Sequence, residues 1–456
     1  MTSPSLYPHP PDDAFARSRE TGGAFPARAD VVVLGGGIVG AASAWYLAGM
    51  GLKVVLVEKS KVASQQSGRN WGFVRTQYRD LAEMPLALEA LSIWPGLERE
   101  LACDIGWRRG GCVFVAKDDT ECDAFSRWHA SARSVSPDAR MLSGTQVAAL
   151  LPAFTPRVPG ALYTASDGQA EPALATLALA RAAQARGARV LEDCGAIEID
   201  TANGAVSGVL TEHGLIRTPA VVCAAGATSH RFLSKFGLVL PQQVVRNTVS
   251  LTKPLPPLSE SCFCGLGLGL RQRPDGSCIL AAESMSDIDL TLDTLRAAKY
   301  FLPAFVRNRK TFAFQFGNAF LRDIRDRLST PHRERAIEPR SPHIPPNARR
   351  VDEVTRLFGQ LFGGAHAVSV VKSWAGNIDV LPDALPVIDC PSQVPGLVVA
   401  TGFSGHGFGL GPAVGRNVAR LVAGELPTVP LEAFRLERFA LGNFAHPHAR
   451  FEGAGN

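Results

Sequence analysis

The sequence predicts an α/β fold in which a parallel unit of alternating strands and helices is combined with a second part built on antiparallel strands. Three observations predict it. The stretch VVVLGGGIVGAASAWYLAGMGLKVVLVEKS at residues 31–60 has the pattern strand, glycine-rich turn, helix and strand. Residues 240–300 alternate more, as antiparallel strands do. An apolar strand, Leu397–Thr401, leads into a glycine-rich loop and a helix that we expect to begin at Pro412.

Composition places the chain among ordinary globular proteins. Its 456 residues are enough for about two or three domains. It is 46% hydrophobic and 20% charged, and its formal net charge is only +5. No block of five or more like charges occurs, so the sequence argues against nucleic-acid binding.

The first residues and the cysteines bear on the compartment. Residues 1–29 lack the basic start and apolar core of a signal peptide. The nine cysteines are dispersed, and the closest pair, Cys262 and Cys264, has the spacing C-x-C. An odd, scattered set is typical of free thiols in a reducing compartment, so we expect a cytoplasmic protein. No metal site is predicted.

The glycine-rich run is better explained by a dinucleotide-binding turn than by a membrane span, although the uncharged stretch is about long enough to cross a bilayer. Residues 35–40, GGGIVG, fit G-x-G-x-x-G between a strand and a helix. Gly35 permits the tight turn, Gly37 lets a pyrophosphate approach the backbone, and Gly40 lets the helix pack close to the sheet. The helix N-terminus then faces the phosphates. The sequence therefore predicts a Rossmann-like unit.

Glu58 restricts the choice of dinucleotide. It follows Gly40 by 18 residues and ends the second strand, where its carboxylate can accept hydrogen bonds from ribose hydroxyls. That position argues against NADP but does not separate FAD from NAD. No second full fingerprint occurs, since residues 265–269, GLGLG, lack the spacing and the following helix. A flavin enzyme with one dinucleotide site would take its electrons from the substrate.

The second glycine-rich loop, residues 402–411, leads into another helix N-terminus that favours negative charge. Because the first fingerprint already takes the pyrophosphate, the natural target here is the negative charge that a reduced flavin carries near N1 and the C2 carbonyl. The two loops together therefore favour a flavin.

With these residues in hand, the chain resembles the FAD-dependent D-amino acid oxidase superfamily. It is most similar to the glycine oxidase and sarcosine oxidase branch, and there to opine oxidase, iminodiacetate oxidase and hydroxyproline dehydrogenase subunits. The resemblance covers roughly residues 29–430. The motifs that carry it are GGGIVG at 35–40, SGRNWG at 67–72, DGQAEP at 167–172, AAG at 224–226, RPDG at 273–276, WAGNIDVLPDALPVI at 374–388 and TGFSGHGFGLGPAVGR at 401–416.

The resemblance implies a Rossmann-like FAD-binding domain interleaved with an antiparallel-sheet substrate domain. The implied FAD domain takes residues 27–80, 160–232 and 375–430, and the substrate domain takes 81–159 and 233–374. Residues 1–26 are then an N-terminal extension and residues 431–456 a C-terminal tail.

The resemblance also implies which residues contact FAD. Gly376 stands where some sarcosine oxidases attach the flavin through a cysteine, so we expect non-covalent FAD. The implied contacts are Gly35, Gly37, Gly40, Glu58 and Lys59 to the ADP half, Ala196 to adenine, Ala225 and Gly226 to the diphosphate, Ser67, Gly68, Arg69, Asn70, Trp71 and Gly72 beside the isoalloxazine with Gly376, and Gly402, Ser404, Gly405, His406 and Gly407 at its pyrimidine end.

Three residues are candidates for the substrate. Arg75, in RTQY, lies where sarcosine oxidases place an arginine that binds the substrate carboxylate, and its planar fork suits that group. The alternative is a surface arginine that pairs with Asp80 or Glu83. Arg271 is a second candidate for binding the substrate, and the alternative is that it is a solvated arginine on a strand. His406 would tune the flavin or contact the substrate, and the alternative is that it is a purely structural histidine in the loop.

Two departures from the family concern the chemistry. Sarcosine oxidases use a lysine after SGHGF as a carboxylate ligand, and here that position is Gly409. The lysine that promotes oxygen reduction in monomeric sarcosine oxidases has no counterpart in residues 277–287. The sequence therefore leaves open whether O2 or an electron-accepting partner protein reoxidises the flavin.

The resemblance implies oxidation of the C–N bond of an N-substituted or secondary amino acid, by hydride transfer to flavin N5 and hydrolysis of the imine. Three alternatives stay open. The chain could be a D-amino acid dehydrogenase that acts on primary amines, the catalytic subunit of a larger amine dehydrogenase, or a non-catalytic flavin-binding module. The sequence predicts no transmembrane segment and leaves a homo- or hetero-oligomer open.

Overall fold

The computed structural model describes residues 24–444 except 137, 284–285, 308–311, 316–319, 322–323, 326–327, 329–336, 338–339, 341–343 and 364–367. Most of the N-terminal extension and residues 445–456 of the C-terminal tail thus lie outside the described residues. Within them, no helix is long and apolar enough to cross a bilayer.

The strands carry the bounds that follow, in chain order. They are β1 Val31–Leu34, β2 Val54–Val57, β3 Phe73–Val74, β4 Cys112–Val115, β5 Ala139–Ser143, β6 Gly160–Thr164, β7 Gly168–Gln169, β8 Arg189–Leu191, β9 Ala196–Ala202, β10 Ala205–Thr211, β11 Gly214–Arg217, β12 Ala220–Cys223, β13 Gln243–Thr252, β14 Cys262–Gly265, β15 Leu268–Gln272, β16 Cys278–Ala282, β17 Ser286–Asp289, β18 Phe312–Gln315, β19 Val370–Val380, β20 Val387–Asp389 and β21 Leu397–Thr401.

The helices are numbered in the same way. They are α1 Ile38–Gly49, α2 Gln66–Arg69, α3 Met84–Leu101, α4 Asp119–Ala132, α5 Gly144–Leu150, α6 Pro172–Ala185, α7 Ser229–Leu233, α8 Leu292–Arg307, α9 Ala348–Leu361, α10 Gly407–Val422 and α11 Glu437–Ala440.

A six-stranded sheet forms the centre of the first domain, in the order β20-β21-β12-β1-β2-β8. Its pairs are parallel except for β20 with β21. Each residue of β1 is buried. Helices cover one face of the six-stranded sheet, and the three-stranded sheet β11-β10-β9 packs against the other face. A parallel sheet that is covered on both faces needs such continuous apolar strands.

The larger sheet has the order β18-β17-β13-β16-β15-β14-β4-β6-β5, and β19 pairs with β13. Most of its pairs are antiparallel, as predicted for residues 240–300. The GLGLG stretch forms the β14–β15 hairpin, and Leu266 and Gly267 at its turn have φ of 51° and 86°. Two consecutive left-handed residues are what a tight hairpin turn requires. The α/β two-domain fold class is therefore confirmed.

The division between the domains differs from the prediction in three places. Helix α3 packs into the core of the six-stranded sheet through Trp94 and its neighbours, although we placed residues 81–159 in the substrate domain. Strands β6 and β19 pair with the larger sheet, although residues 160–232 and 375–430 were assigned to the FAD domain. Helical spacing and strand alternation fix an element but not its packing partner. We therefore propose boundaries near 105, 165 and 381.

Helix α10 begins at Gly407, five residues before the predicted start at Pro412. Its glycines are required for packing rather than for a loop. A Cβ on Gly415 would lie 2.5 Å from the Cβ of Ala42, and one on Gly411 would lie 2.8 Å from Ile38. Close contact between α10 and α1 thus outweighs the low helix propensity of glycine.

Candidate active site

A cavity of about 650 Å³ lies where the helix N-termini of the first domain meet the larger sheet. Most of the predicted cofactor residues line it. They are Gly35, Gly37, Glu58, Lys59, Ser67, Arg69, Asn70, Trp71, Gly72, Ala196, Ala225, Gly226, Gly376, Ser404, Gly405, His406 and Gly407. The cavity volume is in the range of ligand sites in proteins.

The first fingerprint places two glycines at one end of this cavity. Gly35 has φ +105°, and a Cβ there would lie 2.5 Å from the carbonyl oxygen of Ala224. Gly37 precedes α1, and the Oγ of Ser67 accepts the N–H of Ile38 at 2.8 Å. Gly35, Gly36 and Gly37 line the cavity, so the backbone before α1 is accessible to it, as the approach of a pyrophosphate requires.

Three of the predicted cofactor glycines do not line the cavity and serve packing instead. A Cβ on Gly40 would lie 2.0 Å from the carbonyl oxygen of Gly35, which agrees with its predicted role between helix and strand. A Cβ on Gly68 would lie 2.1 Å from the carbonyl oxygen of Ala63. Gly402 has φ +72° and its side-chain position is blocked by Leu381.

Glu58 holds the fingerprint turn as well as lining the cavity. One carboxylate oxygen accepts the N–H of Gly36 at 2.7 Å and the other accepts the N–H of Ser60 at 2.9 Å. Burial raises the pKa of Glu58, against the opposing effect of these two bonds. Each carboxylate oxygen can accept more than one bond, so the arrangement is compatible with ribose hydroxyls as further donors.

Two polar atoms in the cavity wall test whether FAD fits. Within the described residues, the Oγ of Ser64 and the Nε2 of Gln65 are buried without a hydrogen-bond partner. Buried polar groups are normally paired, and both of these can donate to phosphate or hydroxyl oxygens. They stand two or three residues before Ser67, between the fingerprint and the SGRNWG segment. The cavity therefore fits a diphosphate-linked cofactor.

The SGRNWG segment is locked against the larger sheet. The Nε of Arg69 donates to the carbonyl of Ser64 at 2.9 Å, and its Nη1 to the carbonyl of Ala375 at 3.2 Å. The indole of Trp71 donates to the side chain of Asn247 at 3.1 Å. These bonds fix the wall of the cavity along which we expect the flavin ring system.

Asp379 organises the second glycine-rich loop and was not singled out by the sequence. Its Oδ2 accepts the N–H of Gly402 at 3.0 Å and the amide of Gln242 at 2.8 Å. Its backbone carbonyl accepts the N–H of Ser404, whose φ is 51°. Burial raises the pKa of this carboxyl. No local signal distinguishes it, because β19 also holds Lys372, Ser373 and Asn377.

Arg75 lines the same cavity, and its guanidinium lies 5.2 Å from the ring centroid of Phe114. Its Nη1 donates to the carbonyl of Gln77. A Cβ on Gly409 would lie 3.7 Å from the backbone nitrogen of Arg75, so the arginine loop and the start of α10 are adjacent. The structure thus brings Arg75 and the His406 loop to one part of the cavity.

His406 belongs to a buried charged cluster. Its Nδ1 lies 3.0 Å from one carboxylate oxygen of Glu83, and the Nη1 of Arg79 lies 3.2 Å from the same oxygen. Burial would raise the pKa of Glu83, but His406 and Arg79 outweigh it and lower the pKa to about 2. Burial, with the charge of Arg79, lowers the pKa of His406 to about 4 against the pull of Glu83. At neutral pH the carboxylate is ionised and the imidazole is neutral.

Arg271 differs from its prediction as a substrate ligand. It is 2% exposed, does not line the cavity, and its Nη1 pairs with Glu171 at 2.9 Å. A Cβ on Gly72 would lie 2.9 Å from its guanidinium carbon, so Arg271 lies directly behind the cavity wall. Because its partner stands 100 residues earlier, no local pattern reveals the ion pair, and we do not propose Arg271 as a substrate ligand.

The chain is 25% identical over 430 residues to the mitochondrial sarcosine dehydrogenase of Homo sapiens, and the match covers 92% of this chain and 42% of that protein. The chain thus spans less than half the length of that relative. It is 26% identical over 420 residues to sarcosine oxidase subunit beta of Rhizobium meliloti (strain 1021), with 91% and 89% coverage.

Solved structures and a family model extend these similarities. The L-amino acid deaminase from Proteus myxofaciens superposes with a TM-score of 0.85 at 26% identity, covering 91% of this chain and 95% of that one. The model of the family described as FAD dependent oxidoreductase (DAO) matches residues 30–421. A match over this much of the chain establishes that the protein belongs to the FAD dependent oxidoreductase family and that FAD is its cofactor.

Proposed function

We propose that the chain oxidises the C–N bond of an N-substituted or secondary amino acid of the sarcosine, iminodiacetate, opine or proline type. The observation that carries the proposal is the position of Arg75. It lines the cavity that fits FAD, beside the loop that holds His406. An arginine in that place can hold a carboxylate while the rest of the substrate lies along the cofactor.

Arg75 would bind the carboxylate through two parallel hydrogen bonds. A guanidinium presents its N–H donors in a planar fork that matches the two oxygens of a carboxylate. The contact with Phe114 and the buried loop around Thr76 and Gln77 restrict the orientation of the fork. A carboxylate held in this way fixes the position of the neighbouring carbon, which lowers the entropic part of the barrier.

When bound, FAD supplies the acceptor for a hydride from the carbon next to the amine nitrogen. The residues that would hold it are those that line the cavity around Gly35, Glu58, Ser67 and Gly405. No strong base is required from the protein if the amine binds in its neutral form. The chain's own contribution is then positioning, exclusion of water and electrostatics.

The second candidate function is that of the catalytic subunit in a larger amine dehydrogenase, and two observations support it. The relative from Rhizobium meliloti is named as a beta subunit, and it is matched over 89% of its length. The lysine that promotes oxygen reduction in monomeric sarcosine oxidases has no counterpart in residues 277–287 of this chain. In this case a partner protein would accept the electrons.

The test is anaerobic titration of the purified protein, followed through the visible flavin absorbance. Sarcosine, iminodiacetate, an opine, proline and a set of D-amino acids are added in turn, and air is then admitted. The proposal predicts bleaching by an N-substituted amino acid. Fast recovery in air indicates an oxidase, and slow recovery indicates a partner-dependent dehydrogenase. Bleaching by primary amino acids alone would contradict the proposed substrate class.

A further inference from the structure

Glu83 and His406 connect two helices at the edge of the cavity. Glu83 immediately precedes α3 and His406 immediately precedes α10. Both oxygens of the fully buried carboxylate lie within hydrogen-bond distance of the His406 Nδ1, at 3.0 and 3.2 Å. Arg79, itself 2% exposed, binds the same carboxylate. Such an arrangement fixes the plane of the imidazole ring.

The contact also fixes which ring nitrogen carries the proton. An ionised carboxylate only accepts hydrogen bonds, so the Nδ1 that faces it must be the N–H of the ring. The neutral imidazole then has its lone pair on Nε2. The charged groups around the ring are Glu83, Arg79 and Arg75, and burial together with the two arginines keeps the second nitrogen unprotonated at neutral pH by lowering the pKa of His406.

The Nε2 edge is the part of the ring that reaches the cavity. The side chain of His406 is 24% exposed and lines the cavity, whereas Glu83, against its Nδ1, is fully buried. The exposed part is therefore the edge opposite Glu83. This histidine presents an acceptor, not a donor, to whatever occupies the cavity next to Arg75.

We propose that Glu83 is a positioning residue that holds His406 as an acceptor for the N–H of the substrate amine, so that the site selects secondary over tertiary amines. The inference rests on the proposed function. A secondary amine that donates its N–H to Nε2 keeps its own nitrogen lone pair for the developing C=N bond as the hydride leaves the adjacent carbon. A tertiary amine has no N–H, so once bound it would cover Nε2 and leave this acceptor without a partner.

The first test compares sarcosine with N,N-dimethylglycine, in which a second methyl group replaces the N–H. Anaerobic stopped-flow gives the second-order constant of flavin reduction for each. We expect the wild type to prefer sarcosine by at least about tenfold, since an unpaired buried acceptor costs about that much. In Glu83→Gln the amide oxygen is needed by Arg79, which can only donate, so the amide NH2 faces Nδ1 and favours the ring proton on Nε2. The preference should then fall to near unity.

Glu89→Gln is the matched control. Glu89 lies on α3, the helix that Glu83 precedes, and it also binds α10, through Asn417 at 2.8 Å, but it does not line the cavity. This variant should keep the wild-type preference. Equal reduction constants for the two substrates in the wild type, or an unchanged preference in Glu83→Gln, would overturn the inference while leaving the proposed function in place.

The second test needs no turnover and covers the case in which Glu83→Gln does not fold. The ¹⁵N shifts of labelled histidines report the tautomer directly, and the signal of His406 is the one lost in His406→Gln. We expect a protonated Nδ1 and an unprotonated Nε2 from pH 5.5 to 8 in the wild type. A proton on Nε2 would overturn the inference. Failure of every N-substituted amino acid to bleach the flavin would instead contradict the proposed function.

Discussion

The carboxylate of Asp167 binds Thr76 twice, accepting its backbone N–H at 2.7 Å and its hydroxyl at 2.8 Å. The second oxygen accepts the N–H of Gln77 at 3.1 Å. These bonds join the DGQAEP motif to the loop that begins with Arg75. The position of the proposed carboxylate ligand is thus set by a fully buried acid that stands about ninety residues away in sequence.

Asp167→Asn should weaken substrate binding without loss of FAD. The asparagine NH2 cannot accept the N–H of Gln77, so the arginine loop shifts, and we expect the KM for an amino acid to rise about tenfold. Burial raises the pKa of Asp167 to about 6, so wild-type affinity should also weaken as the pH falls through about 6. Steady-state KM from pH 5 to 8 checks both, and a pH profile of the variant that matches the wild type would contradict this role.

Arg75→Met should lower kcat/KM for carboxylate-bearing amines by about 10- to 100-fold, because a charged hydrogen bond is worth about 1.5–3 kcal/mol. Amines that lack the carboxylate should be affected little. Arg140→Met is the control, since Arg140 also stacks on an aromatic ring, Tyr163 at 5.1 Å, but does not line the cavity. Equal losses for amines with and without a carboxylate would argue against the assignment.

Gly415→Ala should destabilise the protein by about 1–3 kcal/mol, because the new methyl group would overlap Ala42 in α1. The same change in another helix gives the contrast. Gly359→Ala, in α9, meets nothing within 4 Å and should stabilise by up to about 1 kcal/mol. Urea unfolding of the three proteins, monitored by far-UV circular dichroism, measures both. Equal stabilities would show that the two helices are not closely packed.

His406 should make folding stability depend on pH in one defined window. Its pKa is about 4 in the folded protein and about 6.5 when unfolded, so between these values the unfolded chain binds the proton. Stability from this group is therefore complete above about pH 6.5 and is lost as the pH falls towards 4. Urea unfolding between pH 7 and 4.5 should give a flatter profile for His406→Gln. In the wild type Glu83 titrates below this window, and Asp167 affects both proteins alike.

The flavin should be released completely by acid denaturation. Gly376 replaces the cysteine to which some sarcosine oxidases attach flavin, and its Cβ position lies 3.1 Å from the Cβ of Arg69. Trichloroacetic acid should leave a colourless pellet and FAD in the supernatant. A yellow pellet would contradict non-covalent binding and would direct attention to Cys264, which lines the cavity. The variant Cys264→Ser would then identify the attachment site.

The parts of the site that depend on local geometry could be predicted from the sequence. Gly35, Gly40 and Glu58 are restricted by a turn, a helix contact and a strand end that lie within thirty residues. Glu83, Asp167 and Asp379 could not be found, because their functions depend on distant partners. An acid at a helix start, after a strand or in a strand of mixed polarity ordinarily indicates a solvated position, and only the tertiary structure reveals that these three are buried.

The most direct test of the central claim is the rate of flavin reduction under anaerobic conditions by saturating sarcosine with and without deuterium on its carbon atoms. We predict that sarcosine bleaches the flavin and that deuteration slows the bleaching, because the carbon–hydrogen bond next to nitrogen breaks in that step. The same experiment with Arg75→Met should require far more substrate to reach saturation. Absence of bleaching by sarcosine and by every other N-substituted amino acid, or a rate that deuteration leaves unchanged, would contradict the account.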